Sequence, residues 1–275
     1  MESVQNIMSR KFQPGLSVSS YDPVAYQQMR ADTINAMAGE LTGYECKKCR
    51  NRGFVAAVGE SGNLISRECD CMPMRKCIWQ MERSGLKNII RDMTFEAFTV
   101  KEPWQNTLKE GAKEYANDPK GWLMMGGQPG CGKTHLCVAV CRELLLRGES
   151  LFYMPWREHI SQLKSLPFDS PVRTELMEKC KNTPWLYIDD LYKTGRDGEG
   201  RAQPTATDIS LAFEILNHRY VNRMPTILSS ERTPQELVAI DEATGSRIVE
   251  LCGRYIYSIG KSKDKNYRLR SVVDL

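Results

Sequence analysis

The chain has 275 residues, of which 41% are hydrophobic and 26% charged, as is ordinary for a globular protein. Its net charge of +4 is too small to favour strong binding to DNA by this chain alone. No apolar stretch approaches the roughly 20 residues that span a bilayer, and the first residues lack the order of a signal peptide. We therefore expect no membrane partner and a cytoplasmic location, where most of the ten cysteines stay reduced.

An amino-terminal helical arm is predicted over residues 1–43. Asp22 and Pro23 favour a helix start, because they supply an N-cap and a proline in the first turn. A loose apolar periodicity then extends the helix to about Leu41. Two interpretations stay open: the helix docks on the next module of its own chain, or it docks on a partner protein.

Two pairs of closely spaced cysteines follow the arm: Cys46 with Cys49, and Cys69 with Cys71. Paired cysteines in a reduced protein are typical of a tetrahedral Zn²⁺ site. Between the pairs, two apolar segments flank a glycine-containing turn and predict a β-hairpin that brings the pairs together. We predict that these four residues bind zinc and, with no open coordination position, that the zinc is structural. The alternative is a set of free thiols, and Cys77 is left out of the ligand set.

The zinc lobe and a linker are predicted over residues 44–92, and a nucleotide-binding domain over residues 93–275. The linker looks helical, although it is mixed in polarity. At the start of the nucleotide-binding domain, Phe95 and Phe98 have two interpretations. They either pack over a nucleotide base or belong to the hydrophobic core.

A glycine-rich loop carries the strongest functional signal, because it fits the phosphate-binding pattern G-x-x-x-x-G-K-[ST] between an apolar strand and a helical pattern. Its backbone N–H groups and the following helix favour phosphate oxygens. We expect Lys133 to reach the terminal phosphates and Thr134 to hold Mg²⁺ through its hydroxyl. The predicted nucleotide-binding residues are Gly127, Gln128, Pro129, Gly130, Cys131, Gly132, Lys133, Thr134 and His135.

A second diagnostic segment is the apolar strand 185–188, which ends in the carboxylates of Asp189 and Asp190. We predict that Asp189 binds Mg²⁺, directly or through water, and that Asp190 orients or activates the attacking water. Many ATPases carry glutamate at the second position. Because aspartate is one methylene shorter, we expect slow turnover.

The remaining apolar segments complete an α/β fold with five parallel strands and helices on both faces of the sheet. The strand predicted over residues 225–230 ends in Ser229 and Ser230. One of these serines contacts the γ-phosphate if this strand neighbours the strand before the glycine-rich loop; otherwise the two simply open a loop. Residues 193–203 are glycine-rich and charged, which predicts a mobile loop. Residues 261–270 are basic and form either a solvated tail or a contact to nucleic acid or phosphate.

Several motifs resemble, in order and spacing, the AAA+ ATPases of the DnaC/DnaI type, which are bacterial and phage helicase loaders. These motifs are GGQPGCGKTHL, YIDDL, LNHRY, PTILSSERTPQEL and GSRIVEL. The cysteine region and TFEAF before the core resemble the DnaI-like branch. The resemblance implies an AAA+ core, ATP or ADP with Mg²⁺, and an arginine finger at Arg247 that reaches a neighbouring subunit's nucleotide. It also puts Ser230 near the sensor position, although Glu231 stands where the family often has asparagine.

The resemblance further implies an ATP-dependent loader that self-associates through its ATPase domain. Such a loader binds the hexameric replicative helicase and delivers it onto single-stranded DNA, with hydrolysis as a release switch. Two rival interpretations are an IstB-like transposition helper, which binds duplex DNA and a transposase, and a nucleotide-sensing module with negligible hydrolysis. The cysteine region favours the loader over the transposition helper.

Overall fold

The computed structural model describes residues 22–81, 92–197, 200–260, 262 and 265–267. The start of the predicted arm, the second half of the linker and most of the basic tail lie outside these residues. The chain divides into two compact units, Met1–Cys69 and Asp70–Leu275. The domain bounds drawn at residues 43 and 92 stay predictions.

From residue 22 onward, the first unit contains one helix and the predicted hairpin. These elements are α1 (Pro23–Ala36), β1 (Phe54–Val58) and β2 (Leu64–Glu68), and the two strands pair antiparallel. Asp22 caps α1, because its carboxylate accepts hydrogen bonds from the next backbone N–H groups. The helix ends at Ala36 rather than near Leu41, because the backbone adopts an extended conformation at Met37.

The arm helix docks on the hairpin of its own chain, the first of the two interpretations. The Asn35 amide donates to Ala56 O at 2.8 Å and its oxygen accepts from Ala56 N at 2.9 Å. Arg52 also donates to the Asn35 oxygen at 3.0 Å, and Arg50 donates to Ala36 O. These contacts explain the early helix end, because the chain leaves α1 to run beside the cysteine region: Gly39 N donates to Arg50 O at 2.7 Å.

The second unit is an α/β domain with the predicted parallel sheet. Its helices are α2 (Met72–Met81), α3 (Pro103–Asn117), α4 (Lys133–Leu146), α5 (Trp156–Ser165), α6 (Pro171–Asn182), α7 (Ala206–Val221), α8 (Pro234–Ile240) and α9 (Glu242–Cys252). The sheet contains β3 (Leu123–Gly127), β4 (Leu151–Pro155), β5 (Trp185–Asp189), β8 (Thr226–Ser230) and β9 (Ile256–Ile259). A separate antiparallel pair, β6 (Arg196–Asp197) and β7 (Gly200–Arg201), lies within the segment that was predicted to be a mobile loop.

The strand order of the sheet positions the functional segments. The order is β4-β5-β8-β3-β9 and every pairing is parallel, which confirms the predicted fold. All residues of β3, β5 and β8 are buried, as expected for central strands covered on both faces. The carboxyl ends of these three neighbouring strands therefore meet at one edge of the sheet, where α/β folds bind ligands.

Arg219 on α7 stabilises the opposite edge of the sheet. Its guanidinium is fully buried, and burial lowers its pKa to about 10. It donates to the Thr226 hydroxyl and to five backbone carbonyls, those of Cys180, Lys181, Thr183, Pro184 and Pro225. This arginine of the LNHRY motif therefore stabilises the fold.

We expect Arg219→Lys to lower the free energy of unfolding by more than about 3 kcal/mol, because an ammonium has three donors and each orphaned buried acceptor costs about 1–3 kcal/mol. Urea unfolding followed by circular dichroism measures the change. Arg223→Lys is the matched control, since the Arg223 side chain is 68% exposed. Equal unfolding midpoints for the two variants would refute this assignment.

Candidate nucleotide and zinc sites

The glycine-rich loop joins β3 to α4, and two of its glycines are required by the geometry. Gly127 has φ +117° and a Cβ there would lie 2.1 Å from Ile259 O. Gly132 has φ +92° and a Cβ there would lie 2.6 Å from the Phe98 ring. Other residues are strained at such φ values. The loop thus keeps its backbone close to the start of α4, where N–H groups favour anions.

Lys133 lies inside this loop. The residue is only 5% exposed, and its ammonium donates to Gly127 O at 2.9 Å and to Gln128 O at 2.7 Å. The ammonium is therefore already held within the loop that would receive the phosphates. Phosphate oxygens are acceptors that suit the same donor.

The Asp189 carboxylate lies next to the loop and accepts four hydroxyl donors. Its Oδ1 accepts from Thr134 at 3.2 Å, Tyr187 at 2.7 Å and Ser229 at 2.5 Å. Its Oδ2 accepts from Tyr153 at 2.9 Å. Thr134 and Asp189, 55 positions apart in sequence, thus bring together the oxygen ligands that Mg²⁺ prefers.

The two tyrosines were not identified from the sequence. Tyr187 lies two residues before Asp189 on β5 and so on the same face, and Tyr153 is its register partner on β4. Burial, followed by the charge of Asp189, raises the pKa of both phenols. Both hydroxyls therefore stay protonated and orient the carboxylate. The alternation of side chains along β5 was an available signal for Tyr187. The position of Tyr153 could be found only with the strand order, which pairs β4 with β5.

Asp190 lies in a cleft over the loop together with a cation that was not predicted. Lys193 Nζ lies 2.6 Å from Asp190 Oδ2 and 3.3 Å from Glu231 Oε1. Burial alone would lower the pKa of Lys193, but the hydrogen bond to Asp190 and the charge of Glu231 raise it. The cleft is lined by Met93, Pro129, Gly130, Gly132, Lys133, Thr134, His135, Asp190, Lys193 and Glu231.

Ser229 and Ser230 do not line this cleft, although β8 does neighbour β3. Both residues are fully buried. The Ser230 hydroxyl donates to Leu191 O at 2.7 Å and accepts from Arg232 N at 3.0 Å, while the Ser229 hydroxyl donates to Asp189. The geometry therefore does not support the sensor role that the resemblance implied for Ser230, because its hydroxyl is committed to the backbone.

The remaining loop residues pack against the domain itself. The ring of His135 hydrogen-bonds Thr94 O at 2.8 Å and lies edge-on to Phe98, with 5.2 Å between ring centroids. Phe95 and Phe98 are both buried, in line with the core interpretation. Cys131 Sγ donates to Gln128 O at 3.0 Å.

Part of the basic tail contacts the loop as well. Ser262 N donates to the Gln128 side-chain oxygen at 2.6 Å. Tyr267 N donates to Gly130 O at 3.0 Å. Lys265 lies over the Trp104 ring, with 5.5 Å from Nζ to the centroid. The described part of the tail therefore packs beside the phosphate loop, a position that the sequence did not reveal.

The four predicted zinc ligands come together. The sulfur atoms of Cys46, Cys49, Cys69 and Cys71 all lie within 4.8 Å of one another. Tetrahedral coordination with Zn–S bonds of about 2.3 Å separates sulfurs by roughly 3.8 Å, and Cys46 Sγ lies 3.8 Å from Cys69 Sγ. Gly53 N points at Cys49 Sγ at 3.4 Å, a contact that favours a thiolate. The donor set and its spacing therefore fit zinc.

Comparison with known proteins identifies the family. No family model matches the chain. It is 33% identical over 243 residues to the phage-like element PBSX protein XkdC of Bacillus subtilis, covering 83% of this chain and 88% of that protein. It is 25% identical over 190 residues to the replicative helicase loader DnaC of Escherichia coli K12, covering 68% and 72%. The chain belongs to the DnaC/DnaI-type family of AAA+ helicase loaders.

Solved structures of DnaC/DnaI-type proteins share the fold. A DnaI crystal structure aligns with a TM-score of 0.51 at 22% identity, covering 64% of this chain and 94% of that one. A crystal structure of the DnaC helicase loader aligns with a TM-score of 0.50 at 21% identity, covering 64% and 99%. Both likenesses confirm the AAA+ α/β core.

Among the described residues, no helix is long and apolar enough to cross a membrane.

Arg247, which the resemblance predicts to be an arginine finger, lies on α9 and is half-buried. Its guanidinium carbon lies 5.4 Å from the Phe213 ring centroid and 5.2 Å from the Tyr220 ring centroid, both on α7. It also donates to Ala243 O at 2.5 Å. Arg247 is not among the residues that line the cleft of its own chain, and its role as an arginine finger stays a prediction.

Proposed function

We propose that this protein is an ATP-dependent loader that binds the hexameric replicative DNA helicase and delivers it onto single-stranded DNA. The observation that carries the proposal is the convergence of Lys133, Thr134, Asp189 and Asp190 at one edge of the sheet in a DnaC/DnaI-type chain. Hydrolysis of ATP to ADP and phosphate then serves as the switch that releases the loader.

The cleft residues have different proposed roles in nucleotide binding and hydrolysis. Loop N–H groups and Lys133 hold the phosphates, and the hydroxyl of Thr134 and the carboxylate of Asp189 hold Mg²⁺, which neutralises charge on the phosphates. Asp190 orients the attacking water. Its short side chain favours slow turnover, which suits a switch better than a motor.

The amino-terminal unit is proposed to hold the helicase. One Zn²⁺ bound by the four cysteines stabilises this lobe, and α1 presents its outer face to the partner. The exposed fractions of Val24, Tyr26 and Met29 are 52%, 44% and 57%, and that of Met37, the residue after the helix, is 56%. Large exposed apolar side chains on one short helix are typical of protein interaction surfaces.

A pull-down with the host replicative helicase tests the proposal. We expect the helicase to retain this protein with ATP and to release it when ATP is replaced by ADP. The same assay compares single-stranded DNA with duplex DNA of equal length. Retention of duplex DNA together with a transposase would favour the IstB-like interpretation. Absence of helicase binding in every nucleotide state would reject the loader function.

Arg247→Ala tests self-association through the ATPase domain. We expect ATP affinity to stay unchanged and the ATPase rate of assembled protein to fall at least about 10-fold, because a finger stabilises charge in the neighbour's transition state. Arg223→Ala is the control, since Arg223 also lies over Tyr220, at 5.5 Å, but is 68% exposed. ATPase rates that are equal for Arg247→Ala and the unmodified protein would exclude the finger.

A further inference from the structure

The turn that follows β5 brings a second cation into the nucleotide cleft. Lys193 lines the cleft beside Lys133 and Thr134, and its ammonium is shared between the carboxylates of Asp190 and Glu231 at 2.6 and 3.3 Å. Neither the family motifs nor the comparisons assign Lys193 a role. Its side chain is 37% exposed, so it lies at the cleft surface within reach of a bound ligand.

The backbone that carries Lys193 is held in a strained conformation. Asp190 and Tyr192 both have left-handed φ values, +58° and +59°. For residues other than glycine such conformations cost about 1–3 kcal/mol and persist where the surroundings enforce them, often at functional sites. Here Lys193 N donates to Asp190 O at 2.8 Å, and Tyr192 is buried edge-on against Trp156, with 5.4 Å between centroids.

The two serines of β8 hold this turn in place. The Ser229 hydroxyl accepts from Asp190 N at 2.9 Å, and Leu191 N donates to Ser229 O at 2.8 Å. The Ser230 hydroxyl donates to Leu191 O at 2.7 Å. Both hydroxyls are therefore used to position the turn, and this rigid frame presents Lys193 to the cleft.

Among the described residues that line the cleft, Lys133 and Lys193 are the two lysines that can attract a third phosphate. The serine hydroxyls face the turn, and Glu231, at the position after β8, carries the same sign of charge as a phosphate. A like charge repels the γ-phosphate, whereas the neighbouring ammonium attracts it. The cation on the β5 turn can therefore perform the recognition that the end of β8 does not.

We propose that Lys193 recognises the γ-phosphate of bound ATP and thereby distinguishes ATP from ADP. With ADP or no nucleotide, the ammonium stays paired with Asp190 and Glu231. The γ-phosphate competes for the ammonium and draws it from Asp190, whose carboxylate is then available to the attacking water. The inference rests on the proposed function, since it requires that this cleft binds ATP.

Nucleotide affinities test the inference without a measurement of hydrolysis. In Lys193→Gln we expect the affinity for a non-hydrolysable ATP analogue to fall roughly 10-fold, as for the loss of one charged hydrogen bond, and the ADP affinity to stay within about 2-fold. Lys193→Arg should retain the preference for ATP. Glu231→Gln should increase that preference, because it removes a like charge and one competitor for Lys193.

Lys164→Gln is the matched control. Lys164 pairs with Asp208 at 2.6 Å and its side chain is 34% exposed, but it does not line the cleft. The Lys164→Gln protein should bind the ATP analogue and ADP with the affinities of the unmodified protein. Thermal unfolding verifies that each variant folds. An unchanged ratio of ATP to ADP affinity in Lys193→Gln overturns the inference alone. Failure of the unmodified protein to bind either nucleotide overturns the proposed function as well.

Discussion

Lys133→Ala is expected to lower the affinity for ATP by roughly 100-fold or more, because at least two charged hydrogen bonds of about 1.5–3 kcal/mol each are lost. The Lys133 ammonium lies inside the loop and contacts Gly127 O and Gln128 O at 2.9 and 2.7 Å. Isothermal titration calorimetry with Mg·ATP measures the change.

The control for Lys133 is Lys120→Ala. Lys120 is a solvent-exposed cation whose side chain is 73% exposed and pairs with Asp118 at 2.7 Å. Its removal should leave ATP affinity unchanged. Circular dichroism checks that the loop change does not unfold Lys133→Ala, since this variant also loses contacts to loop carbonyls. Normal ATP binding by a folded Lys133→Ala protein would mean that the glycine-rich loop does not bind the phosphates.

Replacing Cys46 and Cys49 by serine is expected to remove the bound zinc and to unfold the cysteine lobe. Structural zinc contributes about 10–16 kcal/mol in small zinc peptides, which is comparable to the total stability of about 5–15 kcal/mol of an ordinary domain. The lobe offers little else, because its hairpin has only two strands of five residues each. Elemental analysis and limited proteolysis of residues 44–71 measure the two effects.

Cys131→Ser controls for a general effect of cysteine loss. Cys131 is a buried cysteine in the glycine-rich loop and outside the cluster, so this variant should keep about one zinc per chain. Treatment of the unmodified protein with a chelator should reproduce the loss of zinc and the unfolding that we expect for the double variant of Cys46 and Cys49. A protein that is fully protected from protease yet free of metal would exclude a structural zinc site.

Local chemistry made many elements predictable. The central strands β3 and β5 begin with continuous apolar runs, 123–125 and 185–188, as expected for parallel strands buried on both faces. Thr205 and Asp208, three positions apart, form one capping box at the start of α7. Such signals lie within a few residues of one another, so a single sequence reveals them.

Features that depend on distant contacts were missed or misplaced. The end of α1 is decided by Asn35 and Arg50, which connect the helix to the hairpin and to the cysteine region. Apolar periodicity alone extends the helix past that point. The hydrogen bond of the Ser230 hydroxyl was missed for a similar reason, because its partner Leu191 lies 39 positions away in the chain.

By itself, the sequence determined the α/β class, the phosphate loop, the acidic pair and the four cysteines, because each is a short pattern of residue types with its own chemistry. Only the tertiary structure decided how Asp189 is held by Tyr153, Tyr187 and Ser229, and that Lys193 faces Asp190 and Glu231. Several of these contacts join residues 36 to 40 positions apart, on neighbouring strands or the turns after them. The strand order β4-β5-β8-β3-β9 that brings them together is a property of the whole folded sheet, which no local pattern contains.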